Sequence, residues 1–315
     1  MTCLALSNFK PRIIFAGCWD KSIWSWSADS RKRQRRYLGH SDFVKALVCL
    51  QLDGRSMLVS GSADATIIVW DVESGQQLHK LKGHARGILA LALQPPDLDS
   101  DSIDRNTEQG EQAILFSADS NREIRRWNLS PVSASEFSSD PATGPQPILV
   151  HETSVYALHF TPSGYLWTAS ADKTAQCLIH DTGRATDEWV VDACLQHPDF
   201  VKDVVVDEEG GWAVTACRDE EVRLFRTSDN KLYHTFSGHF EEVMGLALVK
   251  KGKILVSVSI DGTIRRWSLE SNELERAREE AEEVRAGNVE EEKPKESLLT
   301  EEEEAELAEL MEDSD

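Results

Sequence analysis

"LVSGSADATIIVW" occupies Leu58–Trp70. An apolar run leads into small residues, then Asp64, then a second apolar run that ends on Trp70, six positions after the Asp. Val, Ile and Trp alternating with polar residues over about five to seven positions is strand chemistry, and small residues with Asp between such runs mark a turn. Four other stretches share the shape: "FAGCWDKSIWSW" (Asp20, Trp26), "WTASADKTAQCL" (Asp172, Leu178), "VTACRDEEVRLF" (Asp219, Phe225) and "LVSVSIDGTIRRW" (Asp261, Trp267). A sixth, "FSADSNREIRRW", fits if Asn121 takes the Asp place, with Trp127 six positions later. Upstream of all but the first stands a His: His40, His84, His151, His197 and His239. Three of these follow a glycine, Gly39, Gly83 and Gly238.

Each unit reads as four short strands, in the clearest copy "KALVCLQ", "MLVSGS", "TIIVWDV" and "QQLHKL". A single four-stranded sheet exposes two faces and cannot bury both; stacking the units around an axis does. With Gly-His before the first strand, Ser-x-Ser-x-Asp at the second and Trp70-Asp71 closing the third, the chain resembles a WD-repeat β-propeller from Thr2 to Leu269. The fold class expected is therefore all-β, with six recognisable blades and imperfect closure, followed by a helical acidic tail. "TCLALSN" aligns with an innermost strand, so no outer strand precedes it, and the last unit runs into a helical pattern where its fourth strand should be. Seven blades is a common size in that family, so an upstream segment absent from this chain is one reading of the imbalance.

The resemblance implies that His, Ser or Thr, Asp and Trp form a buried hydrogen-bonded set in each blade, and a buried Asp and His do need partners. The second unit can complete it with His40, Ser60 or Ser62, Asp64 and Trp70; the last with His239, Ser257 or Ser259, Asp261 and Trp267. The units ending on Leu178 and Phe225 lack the indole N–H. Ser, His and Asp would suit a hydrolase, but a pattern that recurs unit after unit is architectural. No GxSxG, phosphate loop or HExxH is present, so the expectation is a non-catalytic protein without cofactor or metal.

Two insertions interrupt the third unit, 95–112 between its first and second strands and 130–147 between its third and fourth. The first offers Asp97, Asp99, Asp101 and Asp104 but lacks the glycine and terminal Glu of an EF-hand, and reads as a solvated loop. "RKRQRR" (Arg31–Arg36), placed between the third and fourth strands of the first unit, reads first as a solvated turn. A nuclear-localisation signal, a phosphate contact or a dock for an acidic partner are the functional alternatives.

The net charge of −21 argues against a general nucleic-acid binder, but Glu270–Asp315 alone holds 20 acidic and 5 basic residues. The acidity belongs mainly to this tail, residues 270–315, rather than to the body, residues 1–269. The tail offers two amphipathic segments. One places Leu274, Ala277, Ala281 and Val284 on a face; the other opens on Thr300 and Glu303 and sets Leu307, Leu310 and Met311 at helical spacing. No run of about 18 apolar residues exists, so no membrane span is expected. Six Cys without a CxxC pair read as reduced core residues of a cytoplasmic or nuclear protein.

"HSDFVKAL" (His40–Leu47) and "HPDFVKDV" (His197–Val204) share the His and the Asp-Phe-Val-Lys. Their His and Val belong to the repeat; Phe43, Lys45, Phe200 and Lys202 do not, because other units hold other residues there. Recognition in the family often uses the rim where inner strands begin. The predicted rim is Trp19, Phe43, Lys45, Tyr156, Phe200, Lys202, Arg218 and Met244. Aromatics beside cations are common interface anchors, here suited to peptides with acidic or phosphorylated groups. The function expected is a scaffold that assembles a multiprotein complex, its partners one or more proteins held through peptide segments. The alternatives are an accessory subunit of a nuclear chromatin- or RNA-processing complex, without direct nucleic-acid binding, and a substrate receptor of a ubiquitin ligase. The Trp-Asp-x-Arg signature of some such receptors is missing at "WDVE" (Trp70–Glu73).

Overall fold

The computed structural model describes residues 2–7, 9–96, 112–138, 144–181, 188–249 and 252–285, with side chains of the last helix described as far as Glu279. The chain divides into two units, Met1–Ser268 and Leu269–Asp315. The described residues of the first form 23 strands in six sheets.

The first sheet is β1 (Cys3–Leu6), β2 (Ile13–Gly17), β3 (Ser22–Ser27) and β4 (Arg33–Leu38). The second is β5 (Val44–Leu52), β6 (Arg55–Ser62), β7 (Thr66–Asp71) and β8 (Gln77–Lys82). The third is β9 (Ile88–Leu93), β10 (Ala113–Asp119), β11 (Ile124–Leu129) and β12 (Ala134–Glu136). The fourth is β13 (Val155–Phe160), β14 (Leu166–Ser170), β15 (Thr174–Asp181) and β16 (Glu188–Gln196). The fifth is β17 (Val201–Asp207), β18 (Trp212–Cys217), β19 (Val222–Arg226) and β20 (Lys231–Phe236). The sixth has three strands, β21 (Val243–Val249), β22 (Ile254–Ser259) and β23 (Ile264–Ser268). Every sheet is an antiparallel meander, and the first strands pack in succession: β1 on β5, β5 on β9, β9 on β13, β13 on β17, β17 on β21. This is a six-bladed β-propeller. No comparable packing joins β21 back to β1 among the described residues.

The core lies between neighbouring sheets, because alternate residues of each strand face opposite ways. Phe15, Ile23 and Tyr37 of the first sheet bury against Leu58, Ile68 and Trp70 of the second. Leu50, Met57, Val59 and Ile67 on the second sheet's other face bury against Leu115, Trp127 and Leu129 of the third. Each such side chain contributes roughly 2 kcal/mol by leaving water. Among the described residues two faces have no such neighbour. In the first sheet the register Leu6↔Ile14↔Trp26 and Leu4↔Ala16↔Trp24 collects one face, on which Leu4 and Leu6 are both 57% exposed. In the sixth, Gly245↔Val258↔Ile264 and Ala247↔Val256↔Arg266 collect another, on which Ile264 is 74% exposed.

Two expectations need correction. The fourth strand of the third sheet, β12, lies inside the stretch 130–147 read as an insertion; its Ser-rich residues carry no apolar pattern, and it is held by pairing with β11 from Trp127↔Glu136 to Leu129↔Ala134 and by Arg125 Nη1 on Glu136 Oε1 at 2.6 Å. Arg33–Arg36 form part of β4 rather than a turn before it. Arg35 reaches the carbonyls of Glu73 and Ser74 in the second sheet, and Arg36 meets Asp20 at 2.9 Å and stands over Trp24. The basic run is thereby tied to its own sheet and the next, which accounts for it structurally.

In the second unit Ser271–Arg285 is a helix, α1, with Glu273 in its first turn, where a negative charge favours the helix dipole. The residues 97–111, with Asp97, Asp99, Asp101 and Asp104, lie outside the described residues, as do Thr300, Glu303, Leu307, Leu310 and Met311. Among the described residues no helix is long and apolar enough to cross a membrane. The six Cys are unbonded; Cys49, Cys177 and Cys217 are buried, and burial pushes the Cys49 thiol up to about 12.

Candidate functional site

The Ser, His and Asp residues come first, because they resemble a catalytic set. In the second sheet Trp70 Nε1–H donates to Ser60 Oγ at 2.8 Å, Ser60 meets His40 Nε2 at 2.8 Å, and His40 Nδ1 meets Asp64 Oδ2 at 3.0 Å. The chain of bonds is complete with a neutral His40, whose pKa burial lowers. Burial alone would raise Asp64, but donors from Thr66, Ser41 and His40 outweigh it and hold the carboxyl at about 2. Ser62 is not part of the set; its hydroxyl donates to the Asp42 carbonyl at 3.0 Å. The last sheet repeats the arrangement: Trp267 to Ser257 at 2.9 Å, Ser257 to His239 at 2.7 Å, His239 to Asp261 at 3.2 Å, with Ser259 on the Glu241 carbonyl.

The third sheet is also complete, and its acid is Asp119 rather than Asn121. His84 Nδ1 lies 3.0 Å from Asp119 Oδ2, His84 Nε2 lies 2.6 Å from Ser117, and Trp127 donates to Ser117 at 2.8 Å. The turn has the usual length, since Ala118 pairs with Ile124 as Gly61 pairs with Ile67, but the acid comes from two residues earlier, the position Ser62 holds in the second sheet; counting back six from the Trp misses it, and Asp119 Oδ1 accepts the N–H groups of Asn121 and Glu123. His84, Asp119 and Glu123 bring ligand-type atoms within 4.8 Å of one another. Asp119 is held by His84 and those two N–H groups, and Glu123 by Arg125 Nε at 2.9 Å, which is the arrangement of a brace and not of an open metal site. In the fourth sheet His151 joins Asp172 and Thr168 without an indole. In the fifth, His197 keeps Thr215 at 2.8 Å but turns Nδ1 to the Leu195 carbonyl, while Asp219 takes Arg223 through two bonds. Burial first, then the Arg223 charge, lower His197 to about 4.

The rim is built by a repeated local device. In five sheets the residue before the first strand accepts a hydrogen bond from the residue at the second turn: Ala63 to Phe43, Ser120 to Gly87, Ala171 to Ser154, Arg218 to Phe200 and Ile260 to Glu242. Directly afterwards the ladder skips one residue. Lys45, Leu89, Tyr156, Lys202 and Met244 are unpaired between matched neighbours, for example between Val44↔Ser62 and Ala46↔Gly61. A bulge of this kind re-aims a side chain at the end of a strand. The two Asp-Phe phrases are alike in detail: Asp42 and Asp199 each accept the following Phe N–H at 2.8 Å.

Two clusters result. Trp19 and Phe43 stack with centroids 5.5 Å apart, and Lys45 Nζ lies 6.0 Å from the Phe43 ring; Trp19 is 65% exposed. Lys202 Nζ stands 4.6 Å from the Tyr156 ring, and Arg218 stands 5.2 Å from that of Phe200. Both cations also share one carboxylate, Lys202 at 3.0 Å and Arg218 at 2.9 Å from Glu242. Met244 is exposed beside them in sequence, as are Phe240 and Ile260. The sequence places Glu242 at the position of Phe43 and Phe200, but nothing in the spacing says it would draw two cations together. Between the second and third sheets the same edge holds a depression of about 510 Å³, lined by Ala63, Ala65, Ala85, Arg86, Gly87 and Leu89. A Cβ on Gly87 would come within 2.9 Å of the Ala63 Cα, so the close approach requires glycine.

Comparison with known proteins follows this geometry. Residues 35–139 match the family described as tRNA methyltransferase TRM82 WD40 domain, and residues 230–268 match WD domain, G-beta repeat. An uncharacterized WD repeat-containing protein of Schizosaccharomyces pombe is 35% identical over 327 residues, 99% of this chain and 76% of its own length. A p21-activated protein kinase-interacting protein 1-like protein of Xenopus laevis is 22% identical over 278 residues, 87% of this chain and 66% of its own. The nuclear distribution protein nudF of Aspergillus niger is 25% identical over 253 residues, 67% of this chain and 56% of its own.

Proposed function

This chain belongs to the WD-repeat family, and we propose that it is a non-catalytic scaffold that holds protein partners through the rim where its inner strands begin. One observation carries the reading: Trp19, Phe43 and Lys45, and Tyr156, Phe200, Lys202 and Arg218, form two aromatic–cation clusters at positions where other repeats hold Gly, Ser or Leu. The Ser-His-Asp sets are closed on themselves by Trp and Thr partners, which supports an architectural role for them. A peptide with acidic or phosphorylated groups suits the rim; Lys45 is exposed, and an incoming anion at Lys202 and Arg218 exchanges with Glu242. The test is affinity capture with identification of partners, comparing the intact protein with the Trp19→Ala, Phe200→Ala, Arg218→Ala triple variant. Loss of partners at an unchanged melting temperature supports the rim; partners retained in full overturn it.

A second reading, an accessory subunit of an RNA-processing complex, is favoured by the match of residues 35–139 to a domain described for a tRNA methyltransferase. The overall charge of −21 disfavours contact with the RNA itself. Co-purification of a methyltransferase, without binding of the isolated chain to tRNA, is the outcome that reading expects.

A further inference from the structure

The doubled Asp-Phe-Val-Lys phrase lets one part of the rim serve as a control for another. Phe43 and Lys45 of the second sheet correspond to Phe200 and Lys202 of the fifth, down to the skipped residue in the ladder. Around them the two places differ. The turn residue that donates to the Phe43 carbonyl is Ala63, and the one that donates to the Phe200 carbonyl is Arg218. The residue before the first strand of the next sheet is Gly87 in one case and Glu242 in the other. At matching positions the fifth sheet therefore meets a second cation and a carboxylate where its twin meets Ala and Gly. Glu242 Oε2 lies 3.0 Å from Lys202 Nζ, and Oε1 lies 2.9 Å from Arg218 Nε, so each carboxylate oxygen takes one cation. The ammonium also stands 4.6 Å from the Tyr156 ring, and the Lys202 side chain is only 14% exposed. A cation drawn that far from water requires an anion opposite it. The two cations form an anion subsite, and the protein's own carboxylate sits in it.

We propose that Glu242 is a built-in competitor at this subsite, and that the ligand which displaces it is the phosphoryl group of a phosphorylated serine or threonine in a partner protein. This rests on the reading of the rim as the partner-binding surface, and names what one part of it recognises. Displacement costs little because the Arg218 side chain is 47% exposed, and water competes for both ends of so open an ion pair. Charge decides the class of ligand. Lys202 and Arg218 against Glu242 alone leave a positive charge unmatched. A side-chain carboxylate from a partner replaces Glu242 like for like, in charge and in acceptor oxygens, and gains nothing over it. A phosphoryl group carries roughly two negative charges at neutral pH and adds an acceptor oxygen. It matches both cations, and a guanidinium binds two of its oxygens at once. A polyanion is disfavoured by the net charge of −21, whereas a single subsite beside the Tyr156 and Phe200 rings suits one side chain of an extended peptide. Ligand and Glu242 exclude each other, so Glu242 lowers every anion's affinity by the fraction of the protein whose subsite stands open. It sets a threshold that a phosphoryl group clears and a carboxylate does not.

The full chain is titrated with short degenerate peptide libraries, dye-labelled and identical except for a central phosphoserine, glutamate or serine, and binding is read by fluorescence polarisation. The phosphoserine library should bind tightest, by about tenfold over the glutamate library, with the serine library weakest. Glu242→Gln keeps the shape and removes the charge, and should tighten the phosphoserine and glutamate libraries alike, by about tenfold. In that background Arg218→Gln, at an exposed position, should weaken the phosphoserine library by about tenfold. Equal binding of the phosphoserine and glutamate libraries by the parent overturns the proposal. So does a Glu242→Gln variant that binds phosphoserine no better than the parent, because Glu242 is then a brace and not a competitor. Tighter binding of single-stranded RNA, or of phosphatidylcholine vesicles carrying phosphoinositide, than of the phosphoserine library overturns it as well, by giving the subsite to another class of partner. The rim reading is judged separately. If the libraries fail on parent and Glu242→Gln alike while the Trp19→Ala, Phe200→Ala, Arg218→Ala variant still sheds its partners, the rim binds by other chemistry and only this proposal falls. If that variant keeps its partners, the rim reading falls.

Discussion

Ile67 and Ile264 hold the same place in the repeat, each in the third strand of its sheet and paired with the penultimate residue of β6 or β22. Ile67 is 0% exposed and Ile264 is 74% exposed. The local sequences, "SADATIIVW" and "SIDGTIRRW", differ little up to that residue, and both isoleucines point from a strand in the same direction relative to their sheet. What differs is the neighbour. The third sheet lies against Ile67, whereas no sheet lies against Ile264 among the described residues. In a stacked-repeat architecture burial is a property of the junction between units, so the sequence of one unit specifies a face without specifying what covers it.

The sharpest way to break this comparison is to truncate both residues. Ile67→Ala should cost about 3 kcal/mol, transfer plus the cavity left between two packed sheets, and Ile264→Ala should stay within about 0.5 kcal/mol. Urea unfolding of the two variants at matched conditions measures it. Equal costs would mean that the sixth sheet is as well covered in solution as the second.

How far the fold was legible follows the same line. The Asp-to-Trp spacing found six units and the missing outer strand of the last, because turn and strand chemistry is local. It misassigned the third acid, since Asp119 reaches His84 from the position that Ser62 holds in the second sheet, two residues before the repeat's usual acid, in a turn of unchanged length. It passed over β12, whose three residues "ASE" are a strand only because β11 offers an edge. At the rim the residue types were readable and their grouping was not. Lys202 of β17 and Arg218 of the turn after β18 meet at Glu242 of the next sheet, a contact set by the bulges and by the packing of the fifth sheet on the sixth.

The hydrogen-bonded sets give a second comparison, complete against incomplete. Ser117 ties Trp127 and His84 together inside the third sheet, and it is fully buried. Ser117→Ala leaves an indole N–H and an imidazole nitrogen without their partner, at a cost of about 2–3 kcal/mol. Thr215 of the fifth sheet bonds His197 and the Arg223 carbonyl but receives no indole, since Phe225 has no N–H to give, so Thr215→Val should cost about 1 kcal/mol less. Thermal unfolding of the pair measures the difference; equal losses would show that the indole bond adds nothing to stability.

The smallest effect concerns charge within the fifth sheet, where an open hydrogen-bond set places two groups with opposed pH dependence. His197, held at about 4 by burial and by Arg223, stays neutral in the folded protein while the unfolded chain takes up its proton near 6.5. Stability from this group is full above about 6.5 and declines as pH falls toward 4. Asp203 runs the other way. Burial raises its carboxyl to about 6, against the donors Leu246 N–H at 2.7 Å and Val204 N–H at 2.8 Å, so its folded form holds a proton that the unfolded chain has lost. Stability from Asp203 therefore declines as pH rises from 3.8 to about 6. The two slopes oppose each other over the same window, whereas the carboxyl of Asp64, at about 2 in the complete second set, titrates below it. Relative to the parent, Asp203→Asn should lose on the order of 1–2 kcal/mol between pH 6 and 4, and His197→Gln should gain over the same range. Chemical unfolding across that range reads the difference curves. Curves of the same sign for the two variants would show that the opposition does not exist, and that the incomplete set of the fifth sheet titrates no differently from the complete ones.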